Sequence, residues 1–359
     1  MWRIVCLRKL FAFYTQDSLN SLVRRACKHD YKALMIVLGL PNIKIATDLA
    51  VLGLYDFIMI IDDSGSMIIT EALEDGLSRF DVAKEVVKMI STPATLIDPD
   101  GIVVRFINSL EEGNQVNSSS AVEGLMKKIQ LKSRNLTDVG DTIRHKIFNP
   151  ILKPMLESQQ LSRPIIVVTV TDGCPTHGQN QASLFTLGEQ HLTETIRECV
   201  ELFDRSKYGK YGICFSFAQI GSDGDATEFL SKLDTYEYIG DNIDCTSSYT
   251  IERAECLKKT GKDLADAEWV VKCVIGPIDP DYDSRDEGPT QIPVRYPSSA
   301  YQPQLGTASP YQQTASPYQQ TASPYQQTYQ QTYQQPYQYG SIPPPPYSRR
   351  QKKKTCCVM

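Results

Sequence analysis

Residues 296–348 contain no Asp, Glu, Lys or Arg, a run of 53 residues without a formal charge. Gln, Tyr, Pro, Ser and Thr make up most of it. Such a composition cannot bury enough apolar surface to offset chain entropy, so a disordered segment is expected there. Elsewhere, no stretch reaches the roughly 18 uncharged apolar residues that a membrane-spanning helix needs. Arg3, Arg8 and Lys9 interrupt the first apolar residues, which argues against a cleaved signal peptide. The ten cysteines have no repeated spacing, so no disulfide framework is indicated and a reducing, cytoplasmic setting is expected. The Asn-x-Ser/Thr sequences at Asn117 and Asn135 then carry no glycosylation. No Gly-x-x-x-x-Gly-Lys-Ser/Thr phosphate loop occurs. There are four histidines in all, which leaves few general bases.

Charge is divided unevenly along the chain. Five of the 37 Lys and Arg fall between Arg349 and Lys354, leaving 32 against 42 Asp and Glu, so residues 1–295 carry about −10. An acidic body argues against nucleic acid as a partner. The local basic cluster Arg349, Arg350, Lys352, Lys353 and Lys354 argues for an anionic membrane surface.

Four runs are apolar almost without interruption: Tyr55–Ile61, Ile102–Ile107, Ile165–Thr171 and Ile213–Ile220. Short, β-branched and non-alternating, they predict strands buried on both faces of a mostly parallel sheet. Helical periodicities lie between them. Leu192, Ile196, Cys199, Val200 and Phe203 share one face, as do Val82, Val86, Met89 and Ile90, and Ile143, Ile147 and Ile151. After the last long run, Ala226–Leu233 and Thr250–Val274 read as helices. The alternation predicts an α/β fold, a doubly wound sheet with helices on both faces and ligands at the strands' carboxyl ends. Two helical segments are expected within residues 1–54, as an appendage packed on the sheet. Residues 55–287 form the α/β domain with a helical extension, and order is expected to end near Asp286. Residues 288–348 form the repeat tail, and 349–359 an anchor.

The first strand runs into Asp62-Asp63-Ser64-Gly65-Ser66. One carboxylate and two hydroxyls on a tight loop can converge on a point, and all three are hard oxygen donors that suit Mg²⁺, with Mn²⁺ also acceptable. The third strand delivers Asp172-Gly173 at the same edge, and Asn135-Leu136-Thr137-Asp138 adds a hydroxyl before a helix. In this order the residues resemble the metal-ion-dependent adhesion site of the von Willebrand factor A (VWA) family. The resemblance spans roughly residues 31–287 and is closest to cytoplasmic VWA proteins abundant in fungi. It includes Asp98-Pro99-Asp100-Gly101-Ile102, Thr169-Val170-Thr171-Asp172-Gly173 and Gly276-Pro277-Ile278-Asp279-Pro280. It implies a Rossmann-like VWA fold, with Ser64, Ser66 and Thr137 on the metal and Asp62 and Asp172 bound directly or through water. One coordination position is then left for an Asp or Glu of a protein partner. Cys174 departs from the acidic or small residue usual after Asp-Gly.

A Cys174/His177 pair raises nucleophilic chemistry, but no orienting acid or oxyanion device accompanies it, and a binding module is expected rather than an enzyme. His145 is expected near a helical core face. In the tail, Thr307-Ala308-Ser309-Pro310-Tyr311-Gln312-Gln313 recurs from Thr314 and Thr321, either a spacer or a multivalent tyrosine array. Pro344, Pro345 and Tyr347 make a Pro-Pro-x-Tyr ligand for WW domains. Cys356-Cys357-Val358-Met359 fits a prenylation box with Cys356 as the lipidated residue. The expectation is a protein-binding scaffold on the cytoplasmic face of a membrane. The alternatives are a soluble substrate-selecting subunit of a ubiquitin-ligase assembly that recruits a WW-domain ligase, and a metal-dependent hydrolase.

Overall fold

The apolar runs form the centre of a six-stranded sheet in a computed structural model that describes residues 1–70, 76–98, 100–177, 184–279 and 282. All of these lie in a unit spanning Met1–Ile292. The repeats, the end of order near Asp286, the Pro-Pro-x-Tyr motif, the basic cluster and Cys356 lie outside the described residues. The strands are β1 (Asp56–Ile61), β2 (Ile102–Phe106), β3 (Glu112–Val116), β4 (Ile165–Thr171), β5 (Ile213–Gln219) and β6 (Ile243–Thr246). Their order is β3-β2-β1-β4-β5-β6. Every neighbouring pair is parallel except β2 and β3. The class is α/β with a mixed, mostly parallel sheet. β4 and β5 are buried along their whole lengths, as strands covered on both faces must be.

Two strands were not expected. β3 reads Glu-Gly-Asn-Gln-Val and is polar as an edge strand, paired to β2 and held as well by Arg105, which donates to Asn114 Oδ1 at 2.8 Å and to Gly113 O at 3.1 Å. β6 is four residues long and contains Asp244.

Residues 1–54 hold α1 (Trp2–Leu7), α2 (Gln16–Ala26), α3 (Tyr31–Leu38) and α4 (Ile43–Asp48), then a 3₁₀ turn, Leu49–Leu54. Four helices replace the two expected. Ile4, Val5, Leu19, Leu34 and Leu49 share one core with Phe57, Met59 and Ile61 of β1. α5 (Arg79–Ile97) and α6 (Ser119–Met126) pack on that same face. The opposite face holds α7 (Val139–Thr142), which continues as a π-helix over Ile143–Leu152 and then as α8 (Lys153–Glu157). It also holds α9 (Leu184–Asp204) and α10 (Gly224–Asp234). The α9 stripe Leu192, Ile196, Cys199, Val200 and Phe203 is buried, and each large apolar side chain contributes about 1.5–3 kcal/mol. Thr250–Val274 is not one helix. α11 (Tyr249–Thr260) stops at Gly261, and α12 (Asp266–Ile275) follows and packs on the first face.

The π-helix has two contributors, one local and one from β2. Pro150 lacks an N–H, and the Lys146 carbonyl four residues earlier accepts instead from Arg105 Nε at 3.3 Å. Lys146 Nζ in turn donates to the carbonyls of Phe106, Ile107 and Ser109 at 2.8, 3.0 and 2.9 Å, which fixes the chain as it leaves β2.

The N-terminal helices are tied to the far end of the domain. Arg8 donates to the carbonyls of Ile278 (3.0 Å), Pro277 (2.8 Å) and Asp241 (2.7 Å), and is itself buried. Arg8→Ala is predicted to cost about 3 kcal/mol, since three carbonyls lose a charged donor. Urea denaturation should show a lower midpoint with an unchanged slope. A loss within about 0.5 kcal/mol, the scale of an ordinary surface change, would refute this.

The chain moves outward from β1 to β2 and β3, then returns to β4 on the other side of β1. The connections leaving β1 and β4 therefore diverge. That opens a crevice at their carboxyl ends, the ligand position of open α/β sheets.

Candidate metal centre

Asp62 and Asp172 stand at that crevice, each directly after its strand and each with no exposed surface. The Asp62 amide donates to Val170 O at 3.0 Å, extending the β1–β4 ladder by one rung. Its Oδ1 accepts from the Ser64 amide at 2.8 Å, and its Oδ2 accepts from Thr171 Oγ1 at 2.6 Å. Ser64 Oγ and Ser66 Oγ lie 3.0 Å apart, and Ser66 Oγ donates to Asp172 Oδ1 at 2.9 Å. Four of the five sequence-derived residues are thus linked across two strand ends, Ser64, Ser66 and Asp172 through their side-chain oxygens and Asp62 through the Ser64 amide.

Thr137 is not part of that set. It is buried on a neighbouring loop, where its amide donates to Thr176 Oγ1 at 2.8 Å and its carbonyl accepts from the Thr176 amide at 3.0 Å. The loops are drawn together by backbone contacts. The Gly65 amide donates to Asn135 O at 3.0 Å, and a Cβ on Gly65 would lie 2.5 Å from Ser133 O, so only glycine allows this approach. Asp63 accepts from the amides of Asn108 (2.7 Å) and Ser109 (2.8 Å) and so pins the loop after β2. Asn108 Nδ2 reaches Leu136 O at 2.9 Å.

The two carboxylates are short of positive charge. Burial pushes the Asp62 carboxyl up to about 7, the nearby Asp172 charge adds to this, and the bonds from Thr171 and Ser64 oppose it. Burial also raises Asp172, against the opposing pull of Arg79 and Ser66. Arg79 Nη1 donates to Asp172 Oδ2 at 2.9 Å, a buried ion pair that sequence reasoning missed. A signal was present. Arg79 is the first residue of a 19-residue helix capped by Ser78, where a cation opposes the helix dipole. One guanidinium beside two buried carboxylates leaves room for a cation, and an oxygen-only donor set suits Mg²⁺. At the amino ends of the strands, Asp56, Asp98 and Asp100 gather instead around Arg163, which supplies their counter-charge.

The Cys174/His177 idea fares differently. Cys174 is half-buried, and burial pushes its thiol up to about 12, opposite to the shift that activates a nucleophile. His177 Nδ1 lies 2.7 Å from Asp138 Oδ2. His145 does not face the core. Its side chain is 62% exposed, with Asp141 Oδ1 at 3.6 Å.

No protein-family model matches this chain, and a search of curated proteins finds no match.

Proposed function

We propose that this chain is a VWA-type protein-binding module that grips an acidic side chain of a partner through Mg²⁺. The observation that carries the reading is the linked set Asp62, Ser64, Ser66 and Asp172, buried except for half-buried Ser66, at the point where the strand order reverses. Asp62, Ser64, Ser66 and Asp172 would hold the ion, with Thr137 reaching it from the adjoining loop. The ion would act as a Lewis acid presenting one open position to an oxygen ligand. The chain's own residues, Asp63, Gly65 and Asn108 among them, keep the loops of the site in register. In the same reading Cys356 bears a lipid, and Arg349, Arg350, Lys352, Lys353 and Lys354 meet an anionic membrane on its cytoplasmic face. Pro344, Pro345 and Tyr347 offer a WW-domain protein a second contact.

The decisive experiment is a calorimetric Mg²⁺ titration paired with thermal melts. Mg²⁺ is expected to stabilise the wild type by mass action, by about 2.7 kcal/mol at a hundred times Kd, and so to raise its melting temperature. Asp62→Ala should lose both the heat of binding and the melting shift while remaining folded. Partners co-purified with the wild type should be released by chelator and be absent from Asp62→Ala. An identical Mg²⁺ titration in the variant would overturn the assignment.

A further inference from the structure

A second group of ligating atoms begins one residue after Thr137. Asp138 caps α7, Asp141 lies in its first turn, His177 is on the loop after β4, and His191 is on α9. One ligand atom from each, two imidazole nitrogens and two carboxylate oxygens, all lie within 4.8 Å of one another. Asp138 divides its work. Oδ1 accepts the Asp141 amide at 3.0 Å, while Oδ2 is turned to His177 Nδ1 at 2.7 Å. His191 Nε2 is 3.0 Å from Asp141 Oδ1. The two imidazoles stack with centroids 4.0 Å apart and planes inclined by 23°. Gly140 makes this possible, because a Cβ there would sit 2.6 Å from His191 Cδ2.

Helix capping needs one aspartate and accounts for neither histidine. The residues come from three segments of chain and bring two nitrogen and two oxygen donors within 4.8 Å of one another. Four donors, one per residue, is the count of a closed tetrahedral site. Ligand atoms about 2.0–2.1 Å from Zn²⁺ would be about 3.4 Å apart, so the four would draw closer on binding, and the stacked imidazoles would have to splay because an ion lies in the plane of each ring it binds. Imidazole nitrogen suits Zn²⁺ and neighbouring first-row ions, whereas Mg²⁺ and Ca²⁺ take oxygens. We infer that Asp138, Asp141, His177 and His191 form a second metal site, selective for a divalent transition ion such as Zn²⁺. An ion there clamps the loop after β4 and helix α9 to the loop that carries Thr137. It shares no ligand with the Asp62–Asp172 set, so it stands or falls independently of the proposed Mg²⁺ site.

The test uses the full chain, titrated with Zn²⁺ in the presence of excess Mg²⁺. Eight free cysteines among the described residues could also take Zn²⁺, so the ligand type must be read directly. X-ray absorption at one equivalent of Zn²⁺ is expected to show a nitrogen and oxygen shell with two imidazoles. Co²⁺ in its place should lack a thiolate charge-transfer band. His177→Gln and His191→Gln should each weaken Zn²⁺ more than about 100-fold, beyond the 10–100-fold that loss of an outer-shell partner costs. Asp62→Ala should bind Zn²⁺ as the wild type does. A sulfur shell, displacement of Zn²⁺ by Mg²⁺, or undiminished affinity in a folded His177→Gln protein would overturn the site and leave two ordinary His–Asp pairs. The absorption measurement needs no variant, so it decides the matter even where His191→Gln fails to fold.

Discussion

Replacing Arg79 with glutamine is expected to lower the stability of the chelated protein by about 3–5 kcal/mol, the cost of breaking a buried ion pair by removing one partner. The reason is local. Asp172 has no exposed surface, and its Oδ2 accepts from Arg79 Nη1 at 2.9 Å. The bond from Ser66 to Oδ1 remains, but a neutral hydroxyl does not neutralise a carboxylate. Mg²⁺ should reverse much of the loss, because it returns positive charge to the same group. It should also bind the variant more tightly than the wild type, since no guanidinium competes for Oδ2. Denaturation curves with Mg²⁺ and with chelator, for both proteins, make the comparison. An equal loss under both conditions would mean that Arg79 braces α5 and has no part in the metal centre.

The second large effect is on Mg²⁺ affinity as a function of pH. In the metal-free protein the Asp62 carboxyl is raised from 3.8 to about 7, by burial first and by Asp172 second. A raised folded-state value means that the native protein keeps a proton the unfolded chain has already lost. The stability this provides is fully present below the unfolded value and is lost as pH rises through about 7. Mg²⁺ must displace that proton. Affinity should therefore be nearly constant above pH 7 and fall by about tenfold per unit below it. Calorimetry in buffers of different ionisation enthalpy should register the released proton on the acid side alone. A flat profile across this range would show that Asp62 is not a ligand.

The central strands were legible because burial on both faces leaves an unbroken apolar signature, as in Ile165-Ile166-Val167-Val168. β3 left no such trace, because its polar residues answer to β2, through backbone pairing and the contact of Asn114 with Arg105, and not to an apolar core. The π-helix was illegible for a similar reason. Ile143, Ile147 and Ile151 suit an α-helical face, and the departure depends on Arg105 from a different strand. At the metal centre, Asp62, Ser64 and Ser66 lie within five residues, and Asp172 follows a strand visible in the sequence. Arg79 is marked by its place at a helix start, but its pairing was hidden because the partner is 93 positions away. His191 was hidden because the helical pattern that locates α9 says nothing of what its first turns meet across the crevice. Local pattern reveals the elements, whereas pairings between distant segments need the fold.

The grip of Arg8 on the carbonyls of Pro277 and Ile278 sets an order of events during biosynthesis. The partners are 269 and 270 residues apart. At about 5–20 residues per second, Arg8 waits roughly 13–55 s on the ribosome before either acceptor has been made. Over that interval the apolar faces of α1 to α4 have no α12 to close against them, and Trp269 and Val270 are still to come. The domain's first helices are thus among the last to be secured. A nascent chain stalled before residue 269 should recruit holding chaperones through its first 54 residues and release them once synthesis passes α12.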